Sequence, residues 1–167
     1  LSMSAAGALS MLPYVCGALF APFVGTTADW LLARGVGITK LRRIFQGTAL
    51  FGPATCALLL ATAGRFAHPG PQAAVLVLAT MLHTCNRAGL FCTHADLSPR
   101  YAGALFALSN TAGAILPIMS IAGIGALVQT TGSFALGMWL PIAAIQCIGG
   151  LVYVGSSLHE RQIFDTH

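Results

Sequence analysis

The segment from position 83 to 94 places several polar side chains at helical spacing. His83, Arg87, Leu90 and His94 lie at i, i+4, i+7 and i+11, so they share one face of a helix, and Asn86 lies beside it. At about 1.5 Å per residue this face is roughly 16 Å long. Its charge is positive, which favours an anionic solute. The spacing therefore predicts a solute pathway lined by Arg87, His83, Asn86 and His94.

This interpretation applies if the helix crosses a membrane, where ionisable groups face a helix bundle or a water-filled cavity rather than lipid. Simpler interpretations stay open for two residues. Arg87 lies about five residues from the predicted end of its helix, within reach of the membrane surface for an arginine side chain. His83 fits equally well as a neutral histidine hydrogen-bonded to a neighbouring helix.

Other charged residues lie at the ends of predicted helices. Asp96 precedes the positive end of the next helix, and Arg100 follows it by four residues. Asp96 either holds that helix end electrostatically or serves as a carboxylate that couples to a proton or another cation.

Asp29 falls at the C-terminal end of its predicted helix, where the helix dipole disfavours an anion. It therefore needs a cationic partner, and Arg34, Arg42 and Arg43 follow it closely in the chain. We expect a latch between two helix ends, with these residues in a coupling or gating role.

Small and polar residues cluster early in the fourth apolar stretch. Ser109, Asn110 and Gly113 let two helices approach closely and hydrogen-bond across the contact. We interpret them as helix-packing residues.

Composition identifies the elements that must position these side chains. Only 12 of the 167 residues are charged, eight basic and four acidic, while 56% are hydrophobic. A soluble domain normally carries about a quarter charged residues. A disordered chain needs low hydrophobicity, and a nucleic-acid partner needs a dense basic face. All three classes are excluded, which leaves an integral membrane protein whose first partner is the lipid bilayer.

The charges also divide the chain into spans. No Asp, Glu, Lys or Arg occurs in residues 1–28, 44–64, 66–86 or 101–159, and the last stretch is long enough for two spans of about 20 residues. The apolar runs do not alternate as the strands of a β-barrel do. The prediction is an all-α integral membrane fold with five transmembrane helices, at 6–28, 44–63, 71–92, 101–126 and 134–155.

Five spans place six basic residues on one side of the membrane and Arg65 alone on the other. This asymmetry assigns the first side to the cytoplasm or its equivalent compartment. The chain begins at Leu1 and enters an uncharged span directly, without the basic leader of a signal peptide. We expect a fragment with more helices before residue 1.

Signals of enzyme or metal chemistry are absent from the sequence. The five cysteines form no CxxC pair, and no nucleotide-binding, zinc-protease or serine-hydrolase motif occurs. His94 and Asp96 are two residues apart and do not share a helical face, which argues against an intramembrane enzyme. We predict neither catalytic residues nor a metal or organic cofactor.

At several motifs the sequence resembles a known family. Gly25-Thr-Thr-Ala28-Asp29, followed by Arg34, resembles the cytoplasmic-loop signature of the major facilitator superfamily. Further segments are similar to the anion:cation symporters, which include vesicular glutamate transporters, sialin, type I sodium–phosphate cotransporters and plant and algal plastid anion transporters. These segments are residues 12–14 (Leu-Pro-Tyr), 94–103 (His-Ala-Asp-Leu-Ser-Pro-Arg-Tyr-Ala-Gly), 108–113 (Leu-Ser-Asn-Thr-Ala-Gly) and 160–165 (Glu-Arg-Gln-Ile-Phe-Asp).

The resemblance implies that the five spans correspond to helices 8–12 of a twelve-helix transporter and that residues 1–167 are part of its C-terminal half. The third span would be helix 10, which lines the central cavity. It also implies Na⁺- or H⁺-coupled symport of phosphate or an organic anion by alternating access. Helix 7 and the first six helices would be the missing intramolecular partners. The plasma membrane, plastids and vesicles all stay open as locations.

The main alternative is a non-transporting membrane scaffold or the product of a truncated pseudogene. The transcript upstream of Leu1 separates the two interpretations. Seven further spans would indicate the transporter, and a stop codon would indicate the alternative.

Overall fold

The structure is a computed structural model that describes residues 3–62 and 69–156. Arg65 and the tail segment at 160–165 lie outside the described residues. Within them, every long element is a helix and none is a strand. The helices are α1 (Met3–Ala33), α2 (Ile38–Ala61), α3 (Pro69–Thr84), α4 (Leu90–Leu97), α5 (Ala102–Thr131) and α6 (Leu140–Gly155), with a 3₁₀ turn at Cys85–Arg87 and a π-helical turn at Ala135–Trp139.

Five stretches of the described residues are long and apolar enough to cross a membrane, which confirms the predicted all-α membrane fold. They are Leu9–Ala33, Ile38–Ala61, Gly70–Leu97, Ala102–Thr131 and Ala135–Gly155. Several helices extend beyond the charge-free stretches of the sequence. α1 ends only where Gly35 adopts a φ of +82° and its N–H bonds to the Leu32 carbonyl. α2 begins six residues earlier than predicted and therefore includes Lys40, Arg42 and Arg43.

α2 is the central helix of the bundle. It packs against α3 and α6, while α1 packs against α3. The contact with α6 is close, because a Cβ added at Gly150 would lie 2.8 Å from the Phe51 ring. The principal core cluster joins α1, α2 and the region of the 3₁₀ turn in the third span, through Val24, Ala28, Leu41, Phe45, Ala49, Cys85 and Ala88.

α5 contributes least to the packed core. It contacts α4 near its start and the π-helical turn near its end, and most of its surface is exposed. Ser109 contacts α4 through His94, whereas Asn110 is exposed and a Cβ at Gly113 would meet nothing within 4 Å. The packing role of Asn110 and Gly113 stays a prediction.

Candidate functional site

The third span is broken where its polar residues lie. α3 ends at Thr84, Asn86 and Arg87 lie in the 3₁₀ turn, and α4 starts only at Leu90. Gly89 has a φ of −84° and a ψ of −100°, which is not helical. The prediction that His83, Arg87, Leu90 and His94 share one continuous helical face is therefore wrong.

Close packing against α2 explains why the break lies there. A Cβ at Gly89 would lie 2.6 Å from Gln46 Oε1 and 2.9 Å from the Gln46 backbone nitrogen. Only glycine lets the two backbones approach this closely. We call residues 85–89 the helix break.

Side chains of α2 satisfy backbone groups that the helix break frees. Arg42 Nη1 donates to the Ala88 carbonyl at 2.7 Å, and the Leu90 N–H donates to Gln46 Oε1 at 3.0 Å. Arg42 and Gln46 are both buried. Unpaired backbone groups cost several kcal/mol in a membrane, so these two bonds make the break tolerable there.

Arg42 also forms the one ion pair found within the described residues. Its Nε lies 2.7 Å from Asp96 Oδ2 and its Nη2 lies 3.2 Å from Asp96 Oδ1, so the pair is bidentate. The expected latch between Asp29 and an arginine is not formed among the described residues. The ion pair joins α2 to α4 instead, because the helix break brings Asp96 back towards the start of α2.

The other predicted gating residues lie near the same side of the bundle but apart from this pair. Asp29 is exposed, and the Arg34 guanidinium lies 3.8 Å from the centre of the Trp30 ring. Arg43 Nη2 donates to the Ser156 carbonyl at 2.9 Å. Arg100 is exposed and lies 5.5 Å from the centre of the Tyr101 ring. Their gating role stays a prediction.

Three of the four predicted pathway residues line one cavity. It has a volume of about 310 Å³ and lies between α1 and the third span, with His83, Asn86 and Arg87 in its wall. Arg87 is exposed and its guanidinium has no partner among the described residues. Asn86 Oδ1 is buried and also unpaired there. His83 is more constrained, because its Nδ1 lies 3.4 Å from the Ala49 carbonyl oxygen.

His94 does not line this cavity. Its Nε2 lies 2.9 Å from Ser109 Oγ, and its ring meets Phe106 edge-on at 5.8 Å between centres. The helix break separates His94 from Arg87, so His94 contacts α5 whereas Arg87 lines the cavity.

A second cavity of about 440 Å³ continues the first along α1 and α3. The two share Tyr14 and Thr80, and we call the pair the α1–α3 groove. Sequence reasoning missed most of its polar lining. Gln72, Thr80 and Thr84 recur at multiples of four residues, and that period was the signal that could have found them.

The α1–α3 groove has the chemistry of a site for a small anion. Arg87 supplies a charge, the amide, hydroxyl and imidazole groups supply further hydrogen bonds, and none of the described carboxylates lines either cavity. The volumes lie near the low end of the range for small-molecule sites, about 300–1,000 Å³. Among the residues that the structure describes, no three His, Cys, Asp or Glu side chains are placed to hold a metal.

No family model matches the chain, but individual relatives do. The chain is 30% identical over 164 residues to probable anion transporter 6, chloroplastic, of Arabidopsis thaliana. The aligned region covers 98% of this chain and 32% of the relative. The chloroplastic ascorbate transporter of the same plant is 31% identical over 91% of the chain and 27% of its own length. The chloroplastic sodium-dependent phosphate transport protein 1, also from Arabidopsis thaliana, is 34% identical over 90% of the chain and 27% of its own length.

The chain thus spans between about a quarter and a third of the length of these curated relatives. These relatives carry the names of transporters rather than of enzymes. The sequence similarity and the five apolar helices agree with each other, so this is a multi-pass membrane protein whose relatives are plant anion transporters.

Proposed function

We propose that this chain is part of a secondary active anion transporter of the major facilitator superfamily, within the anion:cation symporter family. Its five spans correspond to helices 8–12, and the rest of the protein supplies the facing half. The substrate is inorganic phosphate or a small organic anion, coupled to Na⁺ or H⁺. The chloroplastic relatives favour a plastid membrane over a vesicle or the plasma membrane.

One observation carries the proposal: Arg87, which has no partner in the part of the chain that the structure describes, lies at a break in a membrane helix and lines the α1–α3 groove. Asn86 belongs to the same 3₁₀ turn and lines the same groove, and its Oδ1 has no partner among the described residues. Discontinuous helices form substrate sites in many transporters because their irregular backbone and polar side chains face a cavity rather than lipid. Here Arg87 binds the anion, and Asn86 and His83 orient it.

The Arg42–Asp96 pair gives the site a means of coupling to movement. It ties α4 to α2 directly beside the helix break, and Arg42 also holds the Ala88 carbonyl. We propose that α4 changes its orientation relative to α2 at this pair during alternating access. Asp96 is then the carboxylate through which a proton or Na⁺ acts, and Asp29, Arg34, Arg43 and Arg100 contribute at the same surface.

Transport by the full-length protein that contains this chain tests the proposal. Purified protein in proteoliposomes is given labelled phosphate, ascorbate, glutamate or a sugar acid under an imposed Na⁺ or H⁺ gradient. Arg87→Gln removes a charged hydrogen-bond donor, so we expect the uptake efficiency for the preferred anion to fall by roughly ten-fold or more. Arg87→Lys keeps the charge and should retain part of the uptake.

Ser120→Ala serves as the control for Asn86→Ala, because Ser120 is exposed on α5 and its one bond within the described part of the chain is to the Pro117 carbonyl of its own helix. Uptake should fall in the Asn86 variant and not in the control. Unchanged kinetics for Arg87→Gln at equal protein incorporation would contradict the site, and the lack of any gradient-driven anion uptake would contradict the function.

A further inference from the structure

A third cavity lies on the opposite flank of α2 and shares no residue with the α1–α3 groove. It has a volume of about 450 Å³ and is lined by Thr39, Lys40, Arg43, Ile44 and Val154. Two of these five residues are cations, and none is a carboxylate. We call it the basal cavity.

Two polar atoms beside the basal cavity are buried and unpaired within the described residues, while Lys40 is exposed. Arg43 Nη2 donates to the Ser156 carbonyl at 2.9 Å, which fixes the guanidinium between α2 and α6. Neither Arg43 Nε nor the Thr39 hydroxyl oxygen has a hydrogen-bond partner within residues 3–62 and 69–156, and both atoms are buried there. A buried donor left unpaired costs about 1–3 kcal/mol, so two such groups beside one cavity indicate a missing acceptor.

The position of the basal cavity indicates what kind of acceptor it takes. α2 begins at Ile38 and α6 ends at Gly155, so the cavity lies where two membrane spans reach the same surface. Ile44, which is 48% exposed, and Val154 form the apolar part of its wall, and Leu151 and Val152 of α6 are exposed close to Val154 in sequence. The cavity thus combines basic and apolar side chains at the ends of two membrane spans.

We propose that the basal cavity binds the phosphate headgroup of an anionic membrane lipid. The Arg43 guanidinium and the Lys40 ammonium contact the phosphate oxygens, the Thr39 hydroxyl donates a further hydrogen bond, and an acyl chain lies along Ile44 and Val154. Basic side chains at the ends of membrane spans recognise anionic lipids in this way. The inference rests on the membrane spans and not on the transport function, so either can fail without the other.

Lipid retention by the full-length protein tests the site. The protein is reconstituted in nanodiscs of equal parts phosphatidylglycerol and phosphatidylcholine, extracted in mild detergent, and the retained lipid is identified by mass spectrometry. We expect phosphatidylglycerol to be enriched in the wild type. Lys40→Gln should lower the enrichment by roughly five-fold, and Lys40→Gln combined with Arg43→Gln should abolish it.

Arg34→Gln is the matched control, because it removes one charge near the same surface from an exposed side chain that does not line the cavity. It should leave retention unchanged. Lys40 is exposed and without a partner among the described residues, so its variant keeps the fold, and an equal Tm checks this.

Competition with inorganic phosphate distinguishes a lipid phosphate headgroup from free phosphate as the ligand of the basal cavity. Phosphatidylglycerol enrichment that persists in excess phosphate supports the lipid. Binding of inorganic phosphate that depends on Lys40 and Arg43, without lipid enrichment, would assign the site to the free ion and overturn the proposal. Equal loss of enrichment in the Arg34 control, or no enrichment in the wild type, would overturn it as well.

Discussion

Arg42 uses three nitrogen donors at once, two on Asp96 and one on the Ala88 carbonyl. Its side chain is 10% exposed and that of Asp96 is 22% exposed, so neither charge is well solvated. Removing one partner leaves the other charge with little water, and this is more costly than removing both. The pair joins α2 to α4, the helix that follows the break, across a sequence separation of 54 residues.

We therefore predict that Arg42→Met and Asp96→Leu each destabilise the full-length protein by about 3 kcal/mol, and that the double variant is less destabilised than either single one. Thermal unfolding in detergent measures the Tm of all three variants. Arg34→Met is the control, since Arg34 is exposed and, among the described residues, its guanidinium pairs with the Trp30 ring alone. Additive losses in the double variant would show that the pair does not act as a unit.

At the scale of elements, sequence pattern predicted which helices exist but not where the third one breaks. Charge-free stretches reveal spans because hydrocarbon excludes charge, and that rule needs no knowledge of neighbours. The break depends on contacts with α2, chiefly the approach of Gly89 to Gln46. The local sequence at residues 85–89 does not locate the break, because glycine is common in membrane helices and because Asn86 and Arg87 fit a continuous polar helical face equally well. The missed pairing of Arg42 with Asp96 has the same origin.

Gly89→Ala tests this dependence on close approach. The added Cβ would lie within 3.0 Å of the backbone nitrogen and Cα of Gln46, and backbone cannot move aside as a flexible side chain does. We expect α2 and the helix break to separate, with a lower Tm and a loss of uptake. Gly125→Ala, on α5, is the matched control, because its Cβ would meet nothing within 4 Å. Wild-type Tm and uptake in the Gly89→Ala variant would mean that the protein does not depend on the close approach of these two backbones.

At the scale of the whole molecule, two contacts fix which helix ends share a side. The Arg42–Asp96 pair places the start of α2 beside the end of α4, and the Arg43–Ser156 bond places it beside the end of α6. Successive spans then run in opposite directions, as five transmembrane crossings require. The turn after α5, where Gly132 has a φ of +62°, lies at the other side.

Orientation follows from charge, since Lys40, Arg42, Arg43 and Arg100 lie at or near the side that these contacts define, and basic residues favour the cytoplasm or its equivalent. Single cysteines placed at Lys40 and at Thr130, both exposed, test this in full-length protein whose five cysteines in this chain are replaced by alanine. A membrane-impermeant maleimide added to intact plastids or cells should label the Thr130→Cys variant and leave Lys40→Cys unlabelled until the membrane is permeabilised. The opposite pattern would mean that the chain has the reverse orientation in the membrane. Labelling of both cysteines before permeabilisation would contradict the three membrane crossings, by α2, the third span and α5, that separate them. Because the basal cavity lies beside Lys40, the same experiment also identifies the membrane leaflet from which its lipid must come.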